Sequence, residues 1–126
     1  MSRCVLLGLA AALAVPALVQ AQVQRQFPQN ALRGQMVVHQ PPVIVLNGKE
    51  ARLAPAARIR GQNNMILMSG SLVGAELPVN YTVDDYGLVK DVWVLRPEEA
   101  KKLWPKHPEE AARWAFDPAA QTWIKR

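Results

Sequence analysis

The sequence predicts a mainly β fold: a small antiparallel barrel or curled sheet of about six or seven short strands, followed by one or two short C-terminal helices. Two observations carry this expectation. From Gln35 onward, turn residues recur about every 8–12 positions, at Pro41-Pro42, Asn47-Gly48, Pro55, Gly61, Gly70, Gly74, Pro78 and Gly87, with β-branched runs between them. After Arg96 the pattern changes to two helix openings, Pro97-Glu98-Glu99 and Pro108-Glu109-Glu110, with proline at a first helical position and acids in the first turn.

Taken in order, Met36-Val37-Val38 reads as a strand stopped by Pro41-Pro42. Residues 43–46 are apolar on both faces and read as a central strand. Asn47-Gly48 supplies the two positive-φ residues of a type I′ hairpin, so residues 49–53 return antiparallel. Residues 57–60 alternate, with Ile59 inward and Arg58 and Arg60 outward, and Gly61-Gln62-Asn63-Asn64 turns the chain into a strand at 65–68. Residues 70–78 are loop-like, with Leu72-Val73 a candidate short strand. Val79, Tyr81 and Val83 share one face of the next strand, and Asp84-Asp85-Tyr86-Gly87 forms a second hairpin turn. The return strand, 88–95, carries Leu88, Val92 and Val94 on one side and Val89, Trp93 and Leu95 on the other. A strand apolar on both sides must be covered on both, so the C-terminal segment is expected to pack behind it. There, residues 97–102 and 108–114 read as helices, Phe116-Asp117-Pro118 as a turn, and 121–126 as extended or frayed.

The N-terminus has a different character. Met1-Ser2-Arg3 is a positive start, residues 4–19 are uncharged and mostly apolar, and Val19-Gln20-Ala21 suits a cut before Gln22. That order is the signature of a secretory signal peptide. As a helix the 16-residue apolar run spans about 24 Å, short of a hydrocarbon core of roughly 30 Å. Residues 1–21 are therefore expected to be a cleaved signal, 22–34 a Gln-rich flexible lead-in, 35–96 the β domain and 97–126 a helical tail. The single cysteine, Cys4, precedes the apolar run and would leave with it, so disulfides and thiolate chemistry are excluded from the exported form. Ala-rich composition and disulfide-free export point to a bacterial periplasm. Of the 126 residues, 15 are basic and 10 acidic; without Arg3 the balance is 14 against 10, a net charge of +4 that suits contact with anionic envelope components and does not call for nucleic acid. With half its residues apolar, the chain is no candidate for intrinsic disorder.

Catalytic patterns are weak. Gly70-Ser71-Leu72-Val73-Gly74 is not a nucleophile elbow, because Ser71 follows the first glycine directly, and Ser69-Gly70-Ser71 reads as turn chemistry. His39 and His107 are far apart in sequence, each next to a proline or one residue from one, and no cysteine accompanies them, so no metal or other cofactor is expected. The acidic pairs Asp84-Asp85, Glu98-Glu99 and Glu109-Glu110 suit a turn and two helix starts. Asn80-Tyr81-Thr82 matches a glycosylation acceptor pattern, which falls in a strand and is read as coincidental. Trp93, Trp104 and Trp114 read as core, while Trp123, near the chain end, is open between core and a stacking surface. What stands out is polar and basic: Arg52, Arg58, Arg60, Gln62, Asn63 and Asn64. On a strand, Arg58 and Arg60 emerge on one face about 6.6 Å apart, a spacing that suits a forked clamp on a carboxylate or phosphate. Arg52, Arg58, Arg60, Asn63 and Asn64 are the candidate ligand-binding residues.

The stretches Ile44-Val45-Leu46-Asn47-Gly48-Lys49, Arg52-Leu53-Ala54-Pro55-Ala56-Ala57-Arg58-Ile59-Arg60-Gly61, Val79-Asn80-Tyr81-Thr82 and Val89-Lys90-Asp91-Val92-Trp93-Val94-Leu95 resemble small exported proteobacterial proteins of unknown function. More loosely, they resemble envelope domains with an oligonucleotide/oligosaccharide-binding (OB) type of barrel. The resemblance implies an OB-like barrel over about residues 35–99 and an exported location, and it carries no catalytic residues. The expected function is a periplasmic, non-enzymatic binding or assembly domain contacting an envelope protein or an anionic ligand. Two alternatives are a small hydrolase using Ser69 or Ser71 with His39 and an acid, and a structural subunit whose surface is completed by oligomerisation.

Overall fold

The computed structural model describes residues 24–126; the expected signal segment, 1–21, lies outside the described residues. The main sheet is built from β1 (Leu32–Gln40), β2 (Val43–Leu46), β3 (Lys49–Arg60), β4 (Ile66–Leu67), β5 (Glu76–Val83) and β6 (Val89–Val94). A 3-10 turn, Ser69–Leu72, links β4 to β5. Then come α1 (Pro97–Ala100), α2 (Pro108–Arg113), and a hairpin of β7 (Trp114–Asp117) and β8 (Thr122–Lys125).

Strand order is β2-β1-β5-β6-β3-β4, and an added β2–β3 pairing closes five strands into a barrel. All pairings within the ring are antiparallel except β3–β6, which is parallel. The chain is therefore a small, OB-like β barrel with two short helices, as the turn spacing predicts. β2 covers one edge of β3 only as far as Arg52, and β4 takes over that edge at Ile59 and Arg60. β4 hangs outside the ring, at the end of the strand order.

Local chemistry explains the two hairpins. Asn47 and Gly48 have φ of 54° and 81°, the left-handed pair that a type I′ turn demands. In the β5–β6 turn the Asp84 carboxylate accepts the backbone N–H groups of Tyr86 and Leu88, and Gly87 sits at φ 83°.

Two cores flank the barrel wall. Met36, Val38, Ile44, Leu46, Leu53, Ile59, Val79, Tyr81, Val89, Val92 and Val94 fill the interior. Outside, Trp93 and Leu95 are covered by Phe27, Ala31, Trp104 and Trp123, with Trp114 and Phe116 packed against them. The aromatic rings meet edge-on: Phe27 lies 5.7 Å from Trp93 and 5.6 Å from Trp104, and Trp104 lies 5.8 Å from Trp123. The C-terminal segment thus covers the outer side of β6, and Trp123 belongs to that second core.

Several expectations need correction. Residues 22–34 are not a loose lead-in over their described part: Arg25, Phe27 and Ala31 are buried in the cap, and β1 already begins at Leu32. Residues 49–53 and 57–60 are not two strands. They form one 12-residue strand in which Pro55 is exposed at an irregularity of the β3–β6 register between Leu53 and Arg58, where its missing N–H breaks no ladder bond. The strand expected at 65–68 contracts to Ile66–Leu67, and the helices are shorter than predicted. The C-terminal segment is only partly helical, because its last third is the β7–β8 hairpin, turned at Gln121 with φ 55°. Val83 is exposed instead of sharing the inner face, and Val89 points inward beside Val92, because the β5–β6 register shifts between Thr82 and Val83.

Candidate functional site

Cross-strand register lines up five residues on the outside of the barrel. Arg33 opposes Asn80, Asn80 opposes Trp93, Trp93 opposes Arg60, and Arg60 opposes Ile66. The cap covers the Arg33–Asn80–Trp93 end of this row. Arg60 and Ile66 emerge past the cap's edge, so a cleft forms where cap and barrel part.

That cleft has a volume of about 650 Å³ and is lined by Gln24, Arg25, Gln26, Arg60, Asn63, Asn64, Trp93 and Arg96. Among the described residues its lining has three arginines and no carboxylate. Glu99 stands behind it, paired with Arg25 and 3.7 Å from an Arg96 nitrogen, so two positive charges remain in excess. Arg25 itself is committed to the fold. Its guanidinium donates to both Glu99 carboxylate oxygens, to the Gly61 carbonyl at 2.8 Å and to the Val94 carbonyl at 2.9 Å. Burial of Glu99 opposes its charge, but the Arg25 hydrogen bonds, the Arg96 N–H and the charges of both arginines outweigh it and hold the carboxyl below its usual range.

The loop bearing Asn63 and Asn64 is fixed from several sides. Gln62 Nε2 donates to the Leu95 carbonyl at 3.0 Å, Arg96 Nε donates to the Gln62 carbonyl at 2.9 Å, and the Gly61 N–H donates to Met65. Asn63 Oδ1 accepts the Met65 N–H at 3.1 Å, which leaves its Nδ2 donor for a ligand. Asn64 holds the left-handed conformation, φ 67°, that short amides tolerate. Arg60 is half-buried, and no acceptor of the described residues takes a hydrogen bond from its guanidinium.

Of the five predicted residues, the structure brings Arg60, Asn63 and Asn64 together and separates the other two. Arg58 is outward like Arg60, but its register partner on β6 is Asp91, and it lines a distinct pocket of about 530 Å³ with Asp84, Lys90 and Asp91. Arg52 is exposed at the far end of β3, opposite Val43. A two-arginine clamp from Arg58 and Arg60 therefore does not form in one cleft, because β6 offers a carboxylate to one and an indole to the other. Sequence reasoning missed Arg25, Gln26, Trp93 and Arg96. Arg96 has a visible signal, a basic residue directly after the return strand, whereas Arg25 has none, since its partners lie 36–74 positions away.

No protein-family description, curated protein or solved structure matches the chain. The site is therefore read from its own chemistry.

A second, smaller cavity of about 230 Å³ lies on the other side of Arg25, lined by Arg33, Arg96, Lys102, Glu98, Glu99 and Trp104 among others. Its cations are structural. Arg33 Nε donates to Asn80 Oδ1 at 2.8 Å, its Nη1 donates to the Ala100 and Lys102 carbonyls at 3.1 Å, and its Nη2 donates to the Glu99 carbonyl at 3.3 Å, closing the end of α1. Burial pulls the Arg33 pKa down to about 10 despite the nearby Glu99, and the side chain is still charged at neutral pH.

Among the described residues no group of three or more His, Cys, Asp or Glu is placed to hold a metal ion. Ser71 Oγ donates to the Met68 carbonyl at 2.7 Å, the turn chemistry read from the sequence, and no hydrogen bond joins His39 to Ser69 or Ser71.

Proposed function

We propose that this protein is an exported, non-enzymatic binding domain whose cap–barrel cleft takes an anionic group, a phosphate or carboxylate, on Arg60 with Asn63 and Asn64. The observation that carries this reading is the half-buried Arg60 guanidinium, which has no acceptor of its own among the described residues, in a cleft that they line with no carboxylate. A forked guanidinium and amide donors on a loop held in place suit planar or tetrahedral oxyanions, and little ordering remains to be done on binding. The expected signal segment and the surplus of basic residues support a periplasmic setting with anionic envelope components as ligands.

The test is calorimetric titration of the protein with inorganic pyrophosphate and with citrate at low and high salt. Binding that weakens with salt is expected. Arg60→Ala should weaken it roughly tenfold or more, the worth of a charge-assisted hydrogen bond, with an unchanged melting temperature, while Arg58→Ala changes it little. Equal binding by Arg60→Ala and wild type would overturn the reading. N-terminal sequencing of the exported protein tests the location, with Gln22 the expected first residue.

A further inference from the structure

Beside the cleft, three large apolar side chains stand in solvent: Met65, Ile66 and Met68, exposed by 64%, 57% and 76%. They lie on β4 and its two flanks. Leu67, between them, faces Ile59 and packs on the barrel core, so it anchors the strand while its neighbours project. Ile66 sits directly across from Arg60. Alternation along the two strands puts Met68 and Arg58 on the same outer side. The outer face of the β3–β4 ladder therefore interleaves two arginines with two exposed apolar side chains. No Asp or Glu falls between Glu50 and Glu76 in the sequence; in space Arg58 stands beside Asp91 of β6, and Arg60 is the arginine of this face whose cleft is lined by no carboxylate among the described residues.

We infer that this face docks on the surface of an anionic phospholipid bilayer. Met65, Ile66 and Met68 enter the headgroup–acyl boundary, and Arg60 remains at the level of the lipid phosphates, with one phosphate in the cleft. The inference rests on the anion-binding reading of that cleft and names the source of the anion. Charge complementarity selects this occupant, since the apolar side chains border a cleft whose described lining holds Arg25, Arg60 and Arg96 and no carboxylate, which matches an anionic interface. Size argues the same way. Three projecting side chains, one on a two-residue strand and one on either flank of it, are far fewer than the roughly 20–30 residues a side that a stable protein interface uses, whereas a few inserted apolar groups plus basic residues suffice for peripheral membrane attachment. The unbranched, pliable methionines also suit a fluid boundary better than a fixed pocket.

The experiment is co-sedimentation of the purified exported protein with vesicles of phosphatidylcholine alone and of phosphatidylcholine with 30% phosphatidylglycerol (a proportion chosen to give a strongly anionic surface, about one charged lipid in three), alongside pyrophosphate titration of the same samples. Wild type should sediment with the anionic vesicles and not the neutral ones. Ile66→Ser with Met68→Ser should lower vesicle affinity about tenfold or more and leave pyrophosphate binding unchanged, because burial of each apolar side chain is lost and the cleft is not touched. Arg60→Ala should lower both. Undiminished sedimentation of the Ile66/Met68 variant, or equal binding to neutral vesicles, overturns the inference while leaving the cleft reading standing. Pyrophosphate binding unaffected by Arg60→Ala overturns the cleft reading itself. If light scattering shows wild type self-associating and the Ile66/Met68 variant monomeric, the face is a contact between copies and the membrane inference falls.

Discussion

Replacing Arg25 by alanine isolates the interaction that joins the N-terminal segment to everything else. Its guanidinium bridges four pieces of chain: its own segment, the β3–β4 loop at Gly61, β6 at Val94 and α1 at Glu99. The two side chains of the ion pair are 5% and 10% exposed. Arg25→Ala would leave the Glu99 carboxylate with only Arg96 and two carbonyls without their charged donor. Removing one member of a buried pair costs about 3–5 kcal/mol, because the other charge stays desolvated. Against a total stability of roughly 5–15 kcal/mol for a domain of this kind, that is a large share. Urea unfolding followed by tryptophan fluorescence should show the midpoint drop with little change in slope. The double change Arg25→Met, Glu99→Met removes both charges and should recover much of the loss, short of wild type because Glu99 also accepts the Arg96 N–H at the start of α1. The sign with pH follows from the depressed Glu99 carboxyl: its contribution is complete above the unfolded value near 4.3 and disappears as pH falls through the lower folded value. The gap between wild type and Arg25→Ala should therefore be constant above about pH 5 and narrow in acid. A loss below about 1 kcal/mol at neutral pH, or a double variant no better than the single one, would refute this account.

Three further outcomes are expected. Gly34→Ala should destabilise by about 1–3 kcal/mol, since the new Cβ would meet Leu46 at 3.0 Å, Tyr81 at 3.1 Å and Asn47 at 3.2 Å; Gly70→Ala, with nothing within 4 Å, should be nearly neutral in the same denaturant titration. Trp104→Ala should cost about 3–5 kcal/mol and collapse the near-ultraviolet circular dichroism, because it removes the Nε1 bond to the Ala31 carbonyl at 2.8 Å and the hub of the ring contacts. Deleting residues 24–28 should lower the thermal midpoint measurably, since it takes out both Arg25 and Phe27 and bares Trp93 and Trp104; an unchanged midpoint would mean that the segment is not docked in solution.

Much of the barrel was legible because its signals are local. Asn47-Gly48 and Asp84–Gly87 each specify a turn from their own φ preferences, and the strands on either side follow by alternation. The apolar outer side of the last barrel strand correctly demanded a cover. What was not legible depends on distance in sequence. Nothing near Arg25 or Phe27 announces partners some 70 positions away, so a Gln-rich segment without periodicity looked unattached. Pro55 looked like a strand end because sequence cannot show that its missing donor falls at a register irregularity. The same blindness split the candidate site. Alternation put Arg58 and Arg60 on one face, but only the parallel pairing of β3 with β6 reveals that one stands beside Asp91 and the other beside Trp93.

β6 has a consequence for how the molecule comes apart. Val92 and Val94 belong to the barrel interior while Trp93 belongs to the aromatic layer outside, so one short strand is shared by both cores. Melting either layer exposes one side of a strand on which the other depends. The two should consequently unfold in a single calorimetric event with matching van't Hoff and measured enthalpies, and the β6 amides should exchange with solvent only through global opening.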